Sequence, residues 1–208
     1  MPLYKSISVN SQTTVKIWKI DESYDELFQP LTLKTNSFER VSKMKSQLHQ
    51  RGFLSVRHLL REFGYTDQDL FYDENGKPHL KDGKQISITH SFNFSGVIVS
   101  DAEVGIDIEK QRPKIGIIAN KFVDYEFHYL DKASDEYVRK LTVIWGIKES
   151  LYKLFATPGM LFAAHFLVIP FMIEDGKTVA WIDYKNKKHR YNTAFLEFEG
   201  FTCAYVVP

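Results

Sequence analysis

Apolar residues first fall into a helical rhythm between Asn36 and Phe63. Val41, Met44, Leu48, Val56, Leu59 and Phe63 recur at spacings that put them on one face of a long helix. Asn36 followed by Glu39 has the form of a capping box, and Gly64 stands where such a helix would end. A second long helix is predicted from Ser134-Asp135-Glu136 to about Phe155, closed by Pro158-Gly159. Its acidic residues sit at the end the helix dipole favours. The turn formers Asp73-Glu74-Asn75-Gly76-Lys77-Pro78 predict an exposed loop. Strands are predicted at Gln85 to Thr89 and Val97 to Val99, with the polar and aromatic segment His90 to Gly96 between them. A third runs from Val104 to Glu109, stopped by a charged segment ending at Pro113. After the second helix the pattern turns to β: Phe166 to Phe171, Val179 to Tyr184, Thr193 to Phe198 and Thr202 to Val207, with Gly176 and Gly200 at turns. Helices and strands come in separate blocks, which predicts an α+β fold rather than a doubly wound sheet.

Composition narrows this picture. A chain of 208 residues, 44% of them apolar, can bury a real core as one large domain or two small fused ones. The net charge of +1 lacks the footprint of a nucleic-acid binder, so no nucleic-acid partner is expected and a charged partner must meet a local patch. Cys203 is the single cysteine, which excludes an intrachain disulfide and a thiolate zinc cluster. Together with the lack of a charged-then-apolar leader, it points to a reducing, cytoplasmic location. The most apolar stretch, Met160 to Ile173, is broken by His165 and Pro170 and is too short to span a bilayer. It is expected to be buried core, and no membrane partner is expected.

Three constellations could carry chemistry. In Gly105-Ile106-Asp107-Ile108-Glu109, strand alternation puts Asp107 and Glu109 on one face and the isoleucines on the other. Neighbouring carboxylates repel unless a cation lies between them, and hard oxygen ligands suit Mg2+. Taken alone, the pair suits a half-exposed edge strand with solvated charges better than a metal site. In Trp145-Gly146-Ile147-Lys148-Glu149-Ser150-Leu151-Tyr152-Lys153, Glu149 and Lys153 stack one helical turn apart. That spacing fits a metal ligand beside a phosphate ligand, or a routine surface ion pair. Ser87-Ile88-Thr89-His90-Ser91 offers hydroxyls and an imidazole where a strand meets a loop. No Gly-x-Ser-x-Gly elbow, phosphate-binding glycine loop or His pair at zinc spacing is found.

Read in order, Gly76-Lys77-Pro78, Ser87-Ile88-Thr89-His90-Ser91, Gly105-Ile106-Asp107-Ile108-Glu109 and Trp145-x-x-Lys148-Glu149-Ser150-x-x-Lys153 resemble the 4′-phosphopantetheinyl transferase superfamily. The likeness is to its larger single-chain type. The resemblance implies two similar α/β subdomains, residues 1–103 and 104–208, related by a pseudo-twofold axis. Each would be a small antiparallel sheet packed on a long helix, with the metal site in the C-terminal half. It implies transfer of the 4′-phosphopantetheine arm of coenzyme A to a serine of an apo acyl or peptidyl carrier protein, releasing adenosine 3′,5′-bisphosphate. Asp107, Glu109 and Glu149 would hold Mg2+, with Glu149 also the general base. Lys153 and His90 would contact the pyrophosphate, supported by Lys148. Lys77 and Thr89 would lie near the adenosine 3′-phosphate, and the chain would work as a monomer.

Two departures from the family pattern stand out. Thr89 replaces the usual serine and keeps its hydroxyl. Leu48, His49, Gln50 and Gly52 occupy places where members usually carry a basic pair and a glutamate. Fixed positive charge is what normally grips a phosphate, so coenzyme A would be held through Arg51 and Lys45 or more weakly. An alternative follows: a non-catalytic coenzyme A or carrier-protein binding module whose 3′-phosphate clamp has decayed. A third reading is an Mg2+ enzyme acting on another pyrophosphate. Lys110, Arg112, Lys114 and Lys121, with Phe122 and Tyr125, could form a basic, partly apolar rim for an acidic carrier, or simply a solvated loop.

Overall fold

Trp18 and Ile20, both buried at the end of a strand that also buries Val15 and Ile17, open the first of two hydrophobic cores. The computed structural model describes residues 3–157 and 159–208. Its contacts divide the chain into two units, one ending at Ala102 and the other beginning at Glu103.

In the first unit, β1 (Leu3–Ser8), β2 (Thr14–Lys19), β5 (Gln85–Ser91) and β6 (Phe94–Ser100) form an antiparallel sheet in the order β1-β2-β6-β5. Helix α3 (Gln47–Glu62) packs against it, and α1 (Tyr24–Phe28) and α2 (Thr35–Lys43) pack on α3, around a core that includes Leu27, Val41, Leu54, Leu59 and Val97. A separate hairpin, β3 (Leu70–Tyr72) and β4 (Pro78–Leu80), encloses the Asp73-to-Lys77 turn.

The long helix predicted over Asn36–Phe63 is two helices. Met44 and Ser46 are extended, with φ/ψ of −73/125° and −96/121°. The break is stabilised by Gln50, whose side-chain amide donates to Val41 O at 3.4 Å and Met44 O at 3.1 Å, carbonyls at the C-terminal end of α2. The Asn36–Glu39 capping box does not form. Helix α2 starts one residue earlier, and Asp67 organises its entry by accepting from Lys34 N and Ser37 Oγ, each at 3.0 Å. The capping box that does exist is Ser23 with Glu26, on α1. Gly64 closes α3 as expected, at φ +84°. The segment His90 to Gly96 is mostly strand: Ser91 pairs with Phe94, leaving a two-residue turn in which Phe92 takes φ +52°.

The second unit is a five-stranded antiparallel sheet. Its strands are β7 (Gly105–Lys110), β8 (Phe166–Val168), β9 (Lys177–Tyr184), β10 (Lys187–Phe198) and β11 (Phe201–Val207), in the order β7-β11-β10-β9-β8. Helix α5 (Tyr137–Phe155) lies on β7 and β11. The short helices α4 (Ile115–Ile118) and α6 (Phe162–His165) complete the unit. Ile144, Ile147, Leu151, Phe166, Ile182 and Val206 are among its fully buried core residues. Cys203 is buried on β11 opposite Ile108. Helix α5 begins at Tyr137 and ends where Ala156 adopts a left-handed conformation at φ 47°. Pro158, one of the two residues expected to close it, lies outside the described residues. The Met160–Ile173 stretch is only partly core, since Leu161 and Met172 are 63% and 57% exposed. No helix among the described residues is long and apolar enough to cross a membrane.

The fold class is therefore α+β, as the block pattern implied: each unit is an antiparallel sheet with a helix of four or more turns laid on it.

Candidate active site

Two small residues let α5 come down on the sheet. A Cβ built on Gly105 would stand 1.9 Å from Ser150 O, so the strand and helix backbones meet directly. One on Gly146 would lie 3.1 Å from Ala204 Cβ and 3.9 Å from Asp107 Oδ2. Ser150 seals the contact, its Oγ 2.7 Å from Gly146 O and 3.1 Å from Ala204 O. Gly146, Ser150 and Lys153 follow one another at i, i+4 and i+7, so this face of α5 meets β7 and β11. Glu149, at i+3, borders it.

That seating brings four of the anticipated residues together in the second unit. Lys153 Nζ donates to Asp107 Oδ1 at 2.7 Å and to Ile106 O at 2.9 Å. Asp107 is buried and Lys153 half-buried, so the pair is far better shielded than a surface ion pair. Ile106 and Ile108 are buried on the other face of β7, as alternation required. Trp145 Nε1 donates to Glu109 Oε1 at 3.3 Å. Burial pushes the Glu149 carboxyl up to about 7, helped by the charges of Asp107 and Glu109 and opposed by Lys153. Glu109 is also raised, first by burial and then by Asp107.

Three carboxylates pressing on one another in a half-buried site form a donor set of hard oxygens, the chemistry that suits Mg2+. Among the described residues, no group of three or more His, Cys, Asp or Glu side chains is gathered closely enough to hold a metal ion as it stands.

Lys148, expected to support the pyrophosphate, points the other way. It is fully buried, and its three ammonium donors are taken by Glu126 Oε1 at 2.7 Å, Phe122 O at 2.7 Å and Phe162 O at 3.2 Å. Burial lowers its pKa, while the Glu126 charge works to restore it. Phe122, expected on a docking rim, is likewise fully buried. Lys110, Arg112 and Lys114, however, line a cleft of about 230 Å³ together with Glu109, Ile115, Ile118 and Trp145. Ile117 beside it is 82% exposed, an apolar residue that sequence reasoning passed over.

The remaining anticipated residues belong to the first unit. Thr89 is buried and His90 exposed near the end of β5. The His90 ring lies 6.0 Å from that of His49, and a Cβ on Gly52 would come within 3.3 Å of His90 Cγ. Gly52 thus lets α3 approach β5. Lys77 sits on the turn between β3 and β4, its backbone N–H bonded to Asp73 Oδ1 at 2.9 Å. Arg51 Nη2 donates to Ile20 O at 2.8 Å. Arg57 is buried, ion-paired with Asp67 at 3.0 Å and stacked 3.5 Å from the Phe53 ring centre.

Sequence reasoning assigned no role to Trp145, Gly146 or Glu126. The first two lie inside the motif that drew attention to Glu149. Glu126 lies in a single short turn of 3-10 helix, Tyr125–His128, and gave no signal.

A family model described as the 4′-phosphopantetheinyl transferase superfamily matches residues 103–206, which is essentially the whole second unit. The chain is also similar to a curated protein, the 4′-phosphopantetheinyl transferase gsp of Aneurinibacillus migulanus. The two are 28% identical over 178 residues, covering 82% of this chain and 73% of the relative. The chain belongs to the 4′-phosphopantetheinyl transferase superfamily and is an enzyme of that class.

Proposed function

We propose that the chain moves the 4′-phosphopantetheine arm of coenzyme A onto a serine of an apo acyl or peptidyl carrier protein. The carrying observation is Glu149: a half-buried carboxyl with a pKa of about 7, next to the Asp107–Lys153 pair. A base poised near neutrality can take the proton of an attacking hydroxyl and still be ionised in about half of the molecules at neutral pH. The serine oxygen attacks the phosphorus that bears the pantetheine arm, its proton passes to Glu149, and the pyrophosphate P–O bond breaks. The electron pair leaves with adenosine 3′,5′-bisphosphate.

Asp107, Glu109 and Glu149 would hold Mg2+, which when bound offsets the negative charge of the pyrophosphate oxygens. Lys153 holds Asp107 in place and adds a positive charge to the site. By family resemblance His90 also meets the pyrophosphate, and Lys77 and Thr89 serve the adenosine 3′-phosphate. Lys148 leaves this set because its donors are occupied. The cleft lined by Lys110, Arg112 and Lys114, with Ile117 exposed beside it, suits the acidic helix and apolar side chains of a carrier protein. A cytoplasmic setting, where coenzyme A and carriers meet, goes with this reading.

One observation favours the second reading, a coenzyme A or carrier-binding module without transfer. Arg57 is spent on Asp67 and Arg51 reaches the Ile20 carbonyl, so these cations of α3 are engaged within the first unit. Incubation with coenzyme A, Mg2+ and several apo carriers separates the two. The phosphopantetheine mass on the carrier serine supports transfer. Coenzyme A binding with no modified carrier supports the module.

A further inference from the structure

The buried ion pair of Lys148 and Glu126 touches no reacting group, yet it sits one residue from Glu149. Its partners show what it organises. Lys148 Nζ holds the carbonyls of Phe122 and Phe162, residues from two segments 40 positions apart in the chain. Glu126 ties in a third, accepting from Val168 N of β8 at 2.9 Å. The rings of the same two phenylalanines flank one indole. Phe122 meets Trp145 edge-on with centroids 5.0 Å apart, and Phe162 meets it at 5.4 Å, tilted by 39°. The Trp145 N–H is directed at Glu109 Oε1.

We infer that Lys148 and Glu126 are positioning residues for the transfer site: the buried ammonium fixes two backbone carbonyls so that their aromatic side chains clamp Trp145, and Trp145 orients Glu109. A lysine can do this because its three donors radiate to three acceptors at once, whereas an apolar side chain of equal length would leave two buried carbonyls and a carboxylate unmatched. The clamp matters because a half-buried carboxylate with free rotamers presents its oxygens at many angles, and supporting bonds from outside the ligand set restrict them. Lys148 thereby acts on Glu109 from a place no substrate reaches.

The test removes the charges as a pair, since either one alone would strand the other in the core. Lys148→Met/Glu126→Gln is made in a Trp18→Phe/Trp181→Phe background, where Trp145 is the sole tryptophan and is excited selectively at wavelengths that tyrosine does not absorb. Far-UV circular dichroism checks the fold. Time-resolved anisotropy then reads the local motion of the indole, and transfer kinetics read the site. The indole should gain fast local motion, and kcat should fall roughly tenfold, the scale typical of lost outer supports. Trp145→Phe should lower kcat by a similar factor, and the combined variant should fall no further than either parent. An indole as rigid as before, or losses that multiply, would overturn the inference. If the pair variant does not fold, Phe162→Leu removes one jaw while keeping its carbonyl; a rigid indole with full kcat there overturns it equally. The rate arm rests on the transfer reading and the anisotropy arm does not. A wild-type protein inactive on every carrier would count against transfer, and the indole would still decide the clamp.

Discussion

Gly105 and Ser150 meet backbone to backbone, at a distance that leaves no space for a side chain on the strand. This contact sets how closely α5 approaches β7, and so how near Glu149 and Lys153 stand to Asp107. Gly105→Ala must push the helix away, because the obstructing atom is a carbonyl rather than a pliable side-chain end. We expect a loss of roughly 1–3 kcal/mol in urea unfolding and at least a tenfold loss of transfer. Gly146→Ala is the control. Its Cβ meets the Ala204 methyl at 3.1 Å and reaches Asp107 Oδ2 only at the ordinary contact distance of 3.9 Å, and the gain in helix propensity of about 1 kcal/mol offsets the crowding, so stability should change little.

The raised Glu149 pKa predicts a pH dependence of stability in metal-free protein. Folding holds a proton on Glu149 between the ordinary carboxylate value of 4.5 and about 7. The folded state binds more protons than the unfolded one in that window, so the stabilising contribution is complete below 4.5 and is lost as pH rises towards 7. Denaturant midpoints should fall across this range, and Glu149→Gln should flatten the fall. A slope that is unchanged in the variant would assign the titration to another group.

Asp107→Asn keeps the shape of the side chain and removes its charge. Asp107 is the largest electrostatic contributor to the raised Glu149 pKa, so the acid limb of the transfer profile should move to lower pH. The rate should fall by roughly a hundredfold or more, as expected when an electrostatic stabiliser is removed from a shielded site. A pH–rate profile of the variant, compared with wild type, measures both effects.

Chelation gives a simpler check on the carboxylate set. Transfer should stop in excess EDTA and return on adding Mg2+. Calorimetric titration with Mg2+ should show binding that Glu109→Gln weakens by roughly ten- to a hundredfold. Full transfer in the chelator would remove the metal from the scheme.

In the first unit, Asp67 accepts from Lys34, Ser37 and Arg57 while almost wholly buried. Asp67→Ala should cost roughly 3–5 kcal/mol because it leaves the Arg57 charge unmatched in the core. Thermal unfolding reads this directly. Arg57→Met/Asp67→Leu, which removes both charges, should recover part of the loss.

What the sequence could tell depended on the range of the interactions involved. Strand alternation at Ile106 to Glu109 and the i, i+4 step from Glu149 to Lys153 are local rules, and both hold in the fold. The helix break at Met44–Ser46 did not show, because the apolar rhythm runs straight through it. What sustains the break is Gln50 reaching back over two carbonyls at the end of α2. Strands β1 and β2 were missed because their exposed and half-buried residues are polar at most positions. Lys148 was misread for a related reason: a lysine in a functional motif looks like a ligand, and only tertiary packing reveals Glu126 and two carbonyls around it.

Cys203 gives this fold a chemical clock. The only thiol in the chain is shut inside the strand that hydrogen-bonds to the carboxylate-bearing β7, opposite Ile108. A thiol reagent can reach it only when the packing over that face of the sheet opens. Its rate of modification therefore times the uncovering of the sheet face behind Asp107 and Glu109, in unlabelled wild-type protein. Ligands that brace Asp107 and Glu109 from above should slow that clock in proportion to their grip.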